Sequence, residues 1–232
     1  MARTLIRVGH KGADHVAPGN TAASFEAALR CGVHMIEFDV LPLDDGRLVL
    51  AHDYGDAAAR TPLTLEQGLD HLAGEAYEDI QLDVDLKLPG YEAAVVDALR
   101  ARDLESRALV SSTYPESLRL IGELGPGLRR GLSVPRARRD YTKNPLLVVP
   151  AYGVLSWMRA VLPGRTERAI RAGEYEALMA FRLLVSPRLV QAVHRAGGQV
   201  YVWTVDDAAE IARLERMGVD AVITNDPRLF GT

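Results

Sequence analysis

The feature that most constrains the fold is an alternation of short apolar runs with amphipathic segments along most of the 232 residues. The short runs favour buried strands, whereas apolar residues at i, i+3 and i+4 favour helices between them. Because strands that alternate with helices build parallel sheets, we predict a closed (β/α)₈ barrel. The predicted strands lie near Thr4–Val8, Met35–Val40, Ile80–Leu86, Ala108–Ser111, Leu128–Leu132, Met179–Leu184, Val200–Trp203 and Ala221–Thr224.

Start and stop signals support helices between these strands. Asn20 or Thr21 can cap the first helix, Asp206 precedes the last one, and Pro163 is expected to break or kink any helix around it. The predicted helices are Thr21–Arg30, Leu65–Leu72, Tyr91–Ala101, Pro115–Glu123, Pro187–Ala196 and Asp207–Met217.

The composition predicts one compact domain, residues 1–232, without a linker or a tandem repeat. The apolar fraction of 48% is that of an ordinary globular protein. No run approaches the roughly 20 apolar residues of a membrane span, and the first residues lack a signal-peptide core. The one cysteine, Cys31, cannot form an internal disulfide, so we expect a cytoplasmic location.

Charge is distributed unevenly along the chain. Residues 128–173 contain ten Lys and Arg against two acids, although the whole chain has a net charge of −4. Such a segment either solvates a helical face or attracts an anionic surface, so peripheral membrane contact through residues 128–173 stays open. We expect no nucleic-acid partner.

Two predicted strands carry acids on one face. Side chains alternate along a strand, so Glu37 and Asp39 point one way, as do Asp83, Asp85 and Lys87 on the next strand. Unpaired buried carboxylates shift their pKa, pair with cations or bind metal. An all-oxygen cluster suits Mg²⁺ or Ca²⁺. The alternative is a structural ion pair among Glu37, Asp83 and Lys87.

Two histidines and two lysines accompany these acids. His10 ends the first strand, and His52 follows the short apolar run "GRLVLAHD" that comes soon after Asp39. Two histidines near such acids are typical of acid–base chemistry near neutral pH. Lys11 and Lys87 lie beside them and can neutralise a phosphate. We expect structural or exposed roles for the remaining histidines, His15, His34, His71 and His194.

In these motifs the chain resembles the glycerophosphodiester phosphodiesterase family. The matching segments follow the family's order and are "GHKG", "PGNTAASFEAALRCG", "IEFDVLPLDDGRLVLAHD", "DVDLK", "SS" at 111–112, "WTVDD" and "GVDAVITNDP". The resemblance implies a TIM barrel that hydrolyses phosphodiesters with one divalent cation, Mg²⁺ or Ca²⁺. It also implies roles for nine residues: metal binding by Glu37, Asp39 and Asp85, acid–base catalysis by His10 and His52, and phosphate or substrate contact or support by Lys11, Lys87, Asn20 and Trp203.

Three residues depart from the family pattern. Lys11 replaces the usual Arg, Gly19 replaces the usual Glu before Asn-Thr, and Asp85 replaces the usual Glu. The segment after Asp53 is also short, which implies little or no insertion after the second strand and a more open cleft.

The resemblance implies hydrolysis of glycerophosphodiesters to glycerol 3-phosphate and an alcohol, in lipid and glycerol metabolism. Two alternatives remain at this point. One is a lyso-phospholipase D or sphingomyelinase D-like phosphodiesterase that acts on lipids, and the other is a non-catalytic phosphate- or lipid-binding barrel. Bulky lipid phosphodiesters are expected substrates because the cleft is expected to be open.

Overall fold

A computed structural model describes residues 4–136 and 148–231. Its strands, in chain order, are β1 (Ile6–Gly9), β2 (Met35–Pro42), β3 (Leu48–Leu50), β4 (Gln81–Leu86), β5 (Ala108–Ser112), β6 (Arg129–Val134), β7 (Ala177–Phe181), β8 (Gln199–Trp203) and β9 (Ala221–Thr224). Eight of them run parallel and close into a barrel, because β1 pairs with both β2 and β9. The predicted (β/α)₈ TIM barrel is confirmed.

The remaining strand, β3, pairs antiparallel with the end of β2 and lies outside the barrel. The helices of the described residues are α1 (Ala22–Arg30), α2 (Tyr54–Ala59), α3 (Leu65–Leu72), α4 (Glu92–Arg100), α5 (Pro115–Leu124), α6 (Val148–Arg171), α7 (Pro187–Arg195) and α8 (Ala208–Met217). Among these helices, none combines the length and apolarity that a bilayer crossing needs.

Three local expectations are corrected by the structure. The helix α6 continues through Pro163, so the predicted break is wrong; Leu155 and Leu162 are buried in the cluster that includes residues of α7. Strand β7 ends at Phe181 rather than Leu184, because a 3₁₀ helix follows it and buries Leu184 in the same cluster. The short helix α2 is additional.

Caps identify the helix starts. Thr21, not Asn20, caps α1, since its side chain accepts a hydrogen bond from the backbone N–H of Ser24. Asp207, not Asp206, caps α8 by accepting from the backbone N–H of Glu210. Asn20 and Asp206 therefore do not cap these helices. Their side chains form hydrogen bonds with residues at the barrel mouth instead.

The two faces of β2 pack against different surroundings. Ile36, Phe38 and Val40 join the apolar layer between the barrel and its helices. Glu37 and Asp39 point into the barrel, as the period of two predicts. The carboxyl ends of the parallel strands meet at one end of the barrel, which is where polar side chains of this fold form sites.

Candidate active site

Acids from β2 and β4 meet inside the barrel mouth. The strand register places Glu37 opposite Asp83 and Asp39 opposite Asp85. One carboxylate oxygen from each of Glu37, Asp39 and Asp85 lies within 4.8 Å of the others. The structure thus brings together the three acids that the resemblance implies as metal ligands.

Lys87 joins two of these acids. Its Nζ lies 2.6 Å from Asp39 Oδ1 and 2.7 Å from Asp85 Oδ2. Asp83 is not its ion-pair partner: Oδ1 of Asp83 accepts a hydrogen bond of 2.7 Å from Ser111 Oγ. The structural ion pair considered as an alternative therefore has a different arrangement, with Lys87 between Asp39 and Asp85.

Burial disfavours the ionised form of the acids in this cluster. It raises the pKa of Glu37 well above its ordinary value, and the neighbouring Asp39 and Asp83 raise it further. Burial also raises the pKa of Asp83 to about 7. Burial opposes ionisation of Asp39 as well, but Lys87 and the two site histidines outweigh it and lower the pKa of Asp39.

A hard divalent cation fits this cluster. The donors are carboxylate oxygens alone, which is the ligand chemistry of Mg²⁺ and Ca²⁺. Among the described residues, the buried Asp39 Oδ1 has no aligned hydrogen bond, although the Lys87 ammonium lies close to it. A cation bound here would share Asp39 Oδ1 with the Lys87 ammonium and would offset the negative charge of the other acids.

Residues of the loop after β1 donate hydrogen bonds to two of the acids. The backbone N–H of Lys11 donates to Glu37 Oε2 at 2.7 Å. The amide of Asn20 donates through Nδ2 to Asp39 Oδ2 at 2.8 Å and accepts from the Asp39 backbone N–H at 3.1 Å. Asn20 is fully buried. Its side chain therefore supports Asp39 and does not reach the cavity.

His10 is oriented by two residues that the sequence analysis did not single out. Its Nδ1 lies 2.5 Å from Asn225 Oδ1. Asp206 accepts from both the side-chain Nδ2 and the backbone N–H of Asn225, at 2.7 and 2.8 Å. A carboxylate only accepts, so it turns the amide oxygen towards His10. This network assigns the proton to Nδ1 and leaves Nε2 of His10 free to accept one.

Burial lowers the pKa of His10, although Asp39 acts in the opposite direction. A neutral imidazole near pH 7 is the form that can accept a proton. The Nε2 atom lies 3.9 Å from Glu37 Oε2, at the edge of the acid cluster. His10 is therefore a candidate general base.

His52 stands on the open side of the same cavity. Half of its side chain is exposed, and its Nδ1 lies 3.1 Å from Asp53 Oδ2. The cavity has a volume of about 220 Å³, and His10, His52, Lys87 and Trp203 are among its lining residues. His10 and His52 thus line the same cavity, and His52 is the more exposed of the two.

Trp203 contributes an aromatic wall to this cavity. Its indole Nε1 donates to the Met179 carbonyl at 2.9 Å, and its ring packs 5.4 Å from that of Phe181. The Trp203 side chain therefore both packs within the barrel and lines the cleft.

The other histidines lie outside the cluster. His34 bonds to Arg7, His71 to Tyr77 and His194 to Asp220, whereas His15 is exposed. These placements agree with the structural or exposed roles that the sequence predicts.

A family comparison agrees with the barrel and its site. The sequence profile of the glycerophosphoryl diester phosphodiesterase family matches residues 10–62 and 64–229. The chain belongs to this family. Membership confirms the resemblance and with it the assignment as a phosphodiesterase.

Two bacterial glycerophosphodiester phosphodiesterases are similar to this chain along most of their length. A glycerophosphodiester phosphodiesterase of Caldanaerobacter subterraneus subsp. tengcongensis is 29% identical, over 97% of this chain and 95% of the relative. One of Bacillus subtilis is 24% identical, over 97% and 85%.

Solved structures of glycerophosphodiester phosphodiesterases share the fold. The enzyme from Parabacteroides distasonis has a TM-score of 0.72 at 19% identity, covering 98% of this chain and 95% of that one. An Oleispira antarctica phosphodiesterase, solved with the product sn-glycerol-3-phosphate, has a TM-score of 0.72 at 20% identity, covering 97% and 94%.

Proposed function

We propose that the protein hydrolyses glycerophosphodiesters to glycerol 3-phosphate and an alcohol with the help of one divalent cation. The observation that carries the proposal is the placement of two histidines, three carboxylates and Lys87 around one cavity at the carboxyl ends of the strands. The product bound in the Oleispira antarctica relative supports the same chemistry.

Glu37, Asp39 and Asp85 are the residues that would hold the cation, Mg²⁺ or Ca²⁺. When bound, such an ion neutralises phosphate charge and stabilises the charge that develops in the transition state. Lys87 lies beside the same carboxylates and would contact a phosphate oxygen, and Lys11 would add a second positive charge. Asn20 would support Asp39, and Trp203 would line the cleft for the substrate.

The two histidines divide the proton transfers. His10 Nε2 accepts a proton from the attacking water as the new P–O bond forms. His52, at the open side where the alcohol leaves, donates a proton to the alcohol oxygen as the other P–O bond breaks. Asn225 and Asp53 hold the respective Nδ1 atoms, so that each ring presents Nε2 to the cavity.

The test is turnover of glycerophosphocholine by purified protein with Mg²⁺ or Ca²⁺, measured as released glycerol 3-phosphate and choline. We expect His10→Ala and His52→Ala each to lower kcat by about 10²–10⁴-fold, the usual contribution of a positioned acid or base. His15→Ala is the matched control, because His15 is exposed, and should retain activity. Failure of the wild-type protein to cleave any phosphodiester with either ion would refute the proposal.

The products separate this function from its alternatives. A cyclic phosphate would indicate attack by a substrate hydroxyl, as in the sphingomyelinase D-like reading. Binding of phosphodiesters without turnover would indicate a non-catalytic barrel. Linear glycerol 3-phosphate supports hydrolysis.

We also propose peripheral membrane contact through residues 128–173 and a cytoplasmic location. Val154 and Trp157 of α6 are 57% and 61% exposed, within the basic segment 128–173. Arg138, Arg139 and Lys143 of that segment lie outside the described residues. Exposed aromatic and aliphatic side chains near basic residues suit the surface of an anionic bilayer. Co-sedimentation with phosphatidylserine vesicles should decrease in Trp157→Ser if this face binds lipid, and equal binding would contradict it.

A further inference from the structure

The loop between β1 and α1 is folded tightly around Lys11. Lys11 and Asn20 both adopt positive φ, 50° and 57°, a conformation that non-glycine residues rarely take. The Lys11 carbonyl accepts from the Asn20 backbone N–H at 3.0 Å and from Ser24 Oγ at 2.6 Å. A backbone hydrogen bond therefore joins Lys11 to Asn20, and both residues donate hydrogen bonds to acids of the proposed metal site.

Asp14 spans this loop. Its Oδ1 accepts from the Gly19 backbone N–H at 2.9 Å, and its Oδ2 lies 3.3 Å from Lys11 Nζ. The Asp14 carboxylate thus binds both the backbone of Gly19, at the end of the loop, and the ammonium of Lys11, at its start. Only 19% of the Lys11 side chain is exposed, so the pair is sheltered from solvent on the lysine side.

Gly19 is required by the space that Asp14 occupies. A Cβ at position 19 would lie 2.5 Å from Asp14 Oδ1 and 2.9 Å from Lys11 Cβ, closer than carbon atoms approach such groups. A side chain at position 19 and the observed Asp14 carboxylate therefore exclude each other. The sequence shows Gly19 where the family has Glu, and the structure shows another acid in the vacated space.

We propose that Asp14 is a positioning residue that supplies the acid missing at position 19 and holds Lys11 for substrate phosphate. This inference rests on the proposed function, because Lys11 acts on the phosphate of that reaction. A free lysine has a flexible stem, whose ordering would oppose binding. Holding the ammonium in place in the free protein removes that cost.

The test moves the acid between the two positions. With glycerophosphocholine, Asp14→Ala should raise KM about tenfold, the effect of losing roughly one such charge contact, with kcat within about twofold. Gly19→Ala should raise KM similarly, because its Cβ displaces Asp14. The double variant Asp14→Ala/Gly19→Glu should recover most of the wild-type KM, since it returns an acid near Lys11.

Asp97→Ala is the matched control, because Asp97 forms the same i,i+3 type of pair with Arg100 on α4. It should leave KM unchanged. Calorimetric binding of glycerol 3-phosphate should follow the KM values, and thermal unfolding identifies variants that fail to fold. An unchanged or lower KM in Asp14→Ala, or a double variant no better than Asp14→Ala, overturns the inference. Absence of wild-type turnover would instead overturn the proposed function.

Discussion

Asp206 controls the chemistry of His10 without touching it. Because its carboxylate accepts from Asn225 Nδ2, the amide oxygen of Asn225 must face His10 Nδ1. A reversed amide would place a donor there and move the histidine proton to Nε2. Which nitrogen of His10 is reactive therefore depends on Asp206, which is connected to His10 through two successive hydrogen bonds.

We expect Asp206→Ala to lower kcat by about 10–100-fold, as losses of supporting hydrogen bonds do at catalytic and metal sites. Nitrogen-15 NMR of the His10 ring should show a larger share of the Nε2–H tautomer. Asp207→Ala is the matched control, because Asp207 caps α8 and lies next in sequence. Equal loss of kcat in both variants would contradict the role of Asp206.

A second residue-scale effect concerns pH. Burial, and after it Arg7, lowers the pKa of His34 from 6.5. Below pH 6.5 the unfolded chain takes up a proton that the folded protein resists, so the stability contribution is present above 6.5 and is lost as pH falls towards the folded pKa.

We expect the free energy of unfolding to fall more in the wild type than in His34→Asn between about pH 7.5 and 5.5. Asparagine keeps an acceptor for the Arg7 backbone N–H, which bonds to His34 Nδ1 at 3.2 Å, and it does not titrate. Urea unfolding at each pH provides the measurement. Parallel pH curves would rule out His34 as the cause.

Residue patterns predicted the acids and the two histidines because they lie on strands or directly after them. A period of two fixes the face of Glu37 and Asp39. Asn225 and Asp206 were not predicted as site residues. They follow strands β9 and β8, and Asn225 contacts His10 only when the barrel closes. The signal available was their position after two strand ends in "WTVDD" and "ITNDP".

At the scale of elements, strand β1 has to end in glycine. A Cβ at Gly9 would lie 2.0 Å from the Gly12 carbonyl oxygen, which is backbone and cannot turn aside. The loop that follows carries His10 and Lys11, so distortion here reaches the site.

Gly9→Ala should lower the free energy of unfolding by about 1–3 kcal/mol, the usual range for overpacking, and should also reduce turnover. Gly127→Ala is the matched control, because a Cβ there meets nothing within 4 Å. Thermal unfolding and glycerophosphocholine turnover measure both effects. If the two variants were equally stable and active, the backbone contact at Gly9 would not matter.

The elements themselves followed from the sequence where a period was clear. Every predicted strand overlaps a strand of the barrel, because short apolar runs bounded by turns are typical of buried strands. Pro163 was misleading: a proline removes one helical hydrogen bond, but the buried face of α6 compensates through packing in the cluster around Leu162. Such tertiary packing has no local sequence signal.

At the scale of the whole molecule, a cation that binds the acid cluster should stabilise the barrel. The ligands Glu37 and Asp85 belong to different strands, so the ion would connect β2 to β4. Binding to the folded state alone adds about 2.7 kcal/mol at a hundredfold excess over Kd.

We expect saturating Mg²⁺ or Ca²⁺ to raise the Tm by roughly 5–10 °C, and EDTA to reverse the change. Glu37→Gln should abolish the shift. Asp83→Asn is the matched control, since Asp83 is a neighbouring buried acid that bonds to Ser111 and lies outside the proposed ligand set. A metal-induced shift that survives Glu37→Gln would exclude this ligand set.

The pairing of β1 with β9 has a consequence for how the site assembles as the chain is synthesised. His10 and its partner Asn225 lie 215 positions apart in the chain. A nascent or truncated chain that stops before Thr224 lacks the strand that closes the barrel beside β1. The contact between His10 and Asn225 therefore forms only after β9 has been synthesised and has closed the barrel.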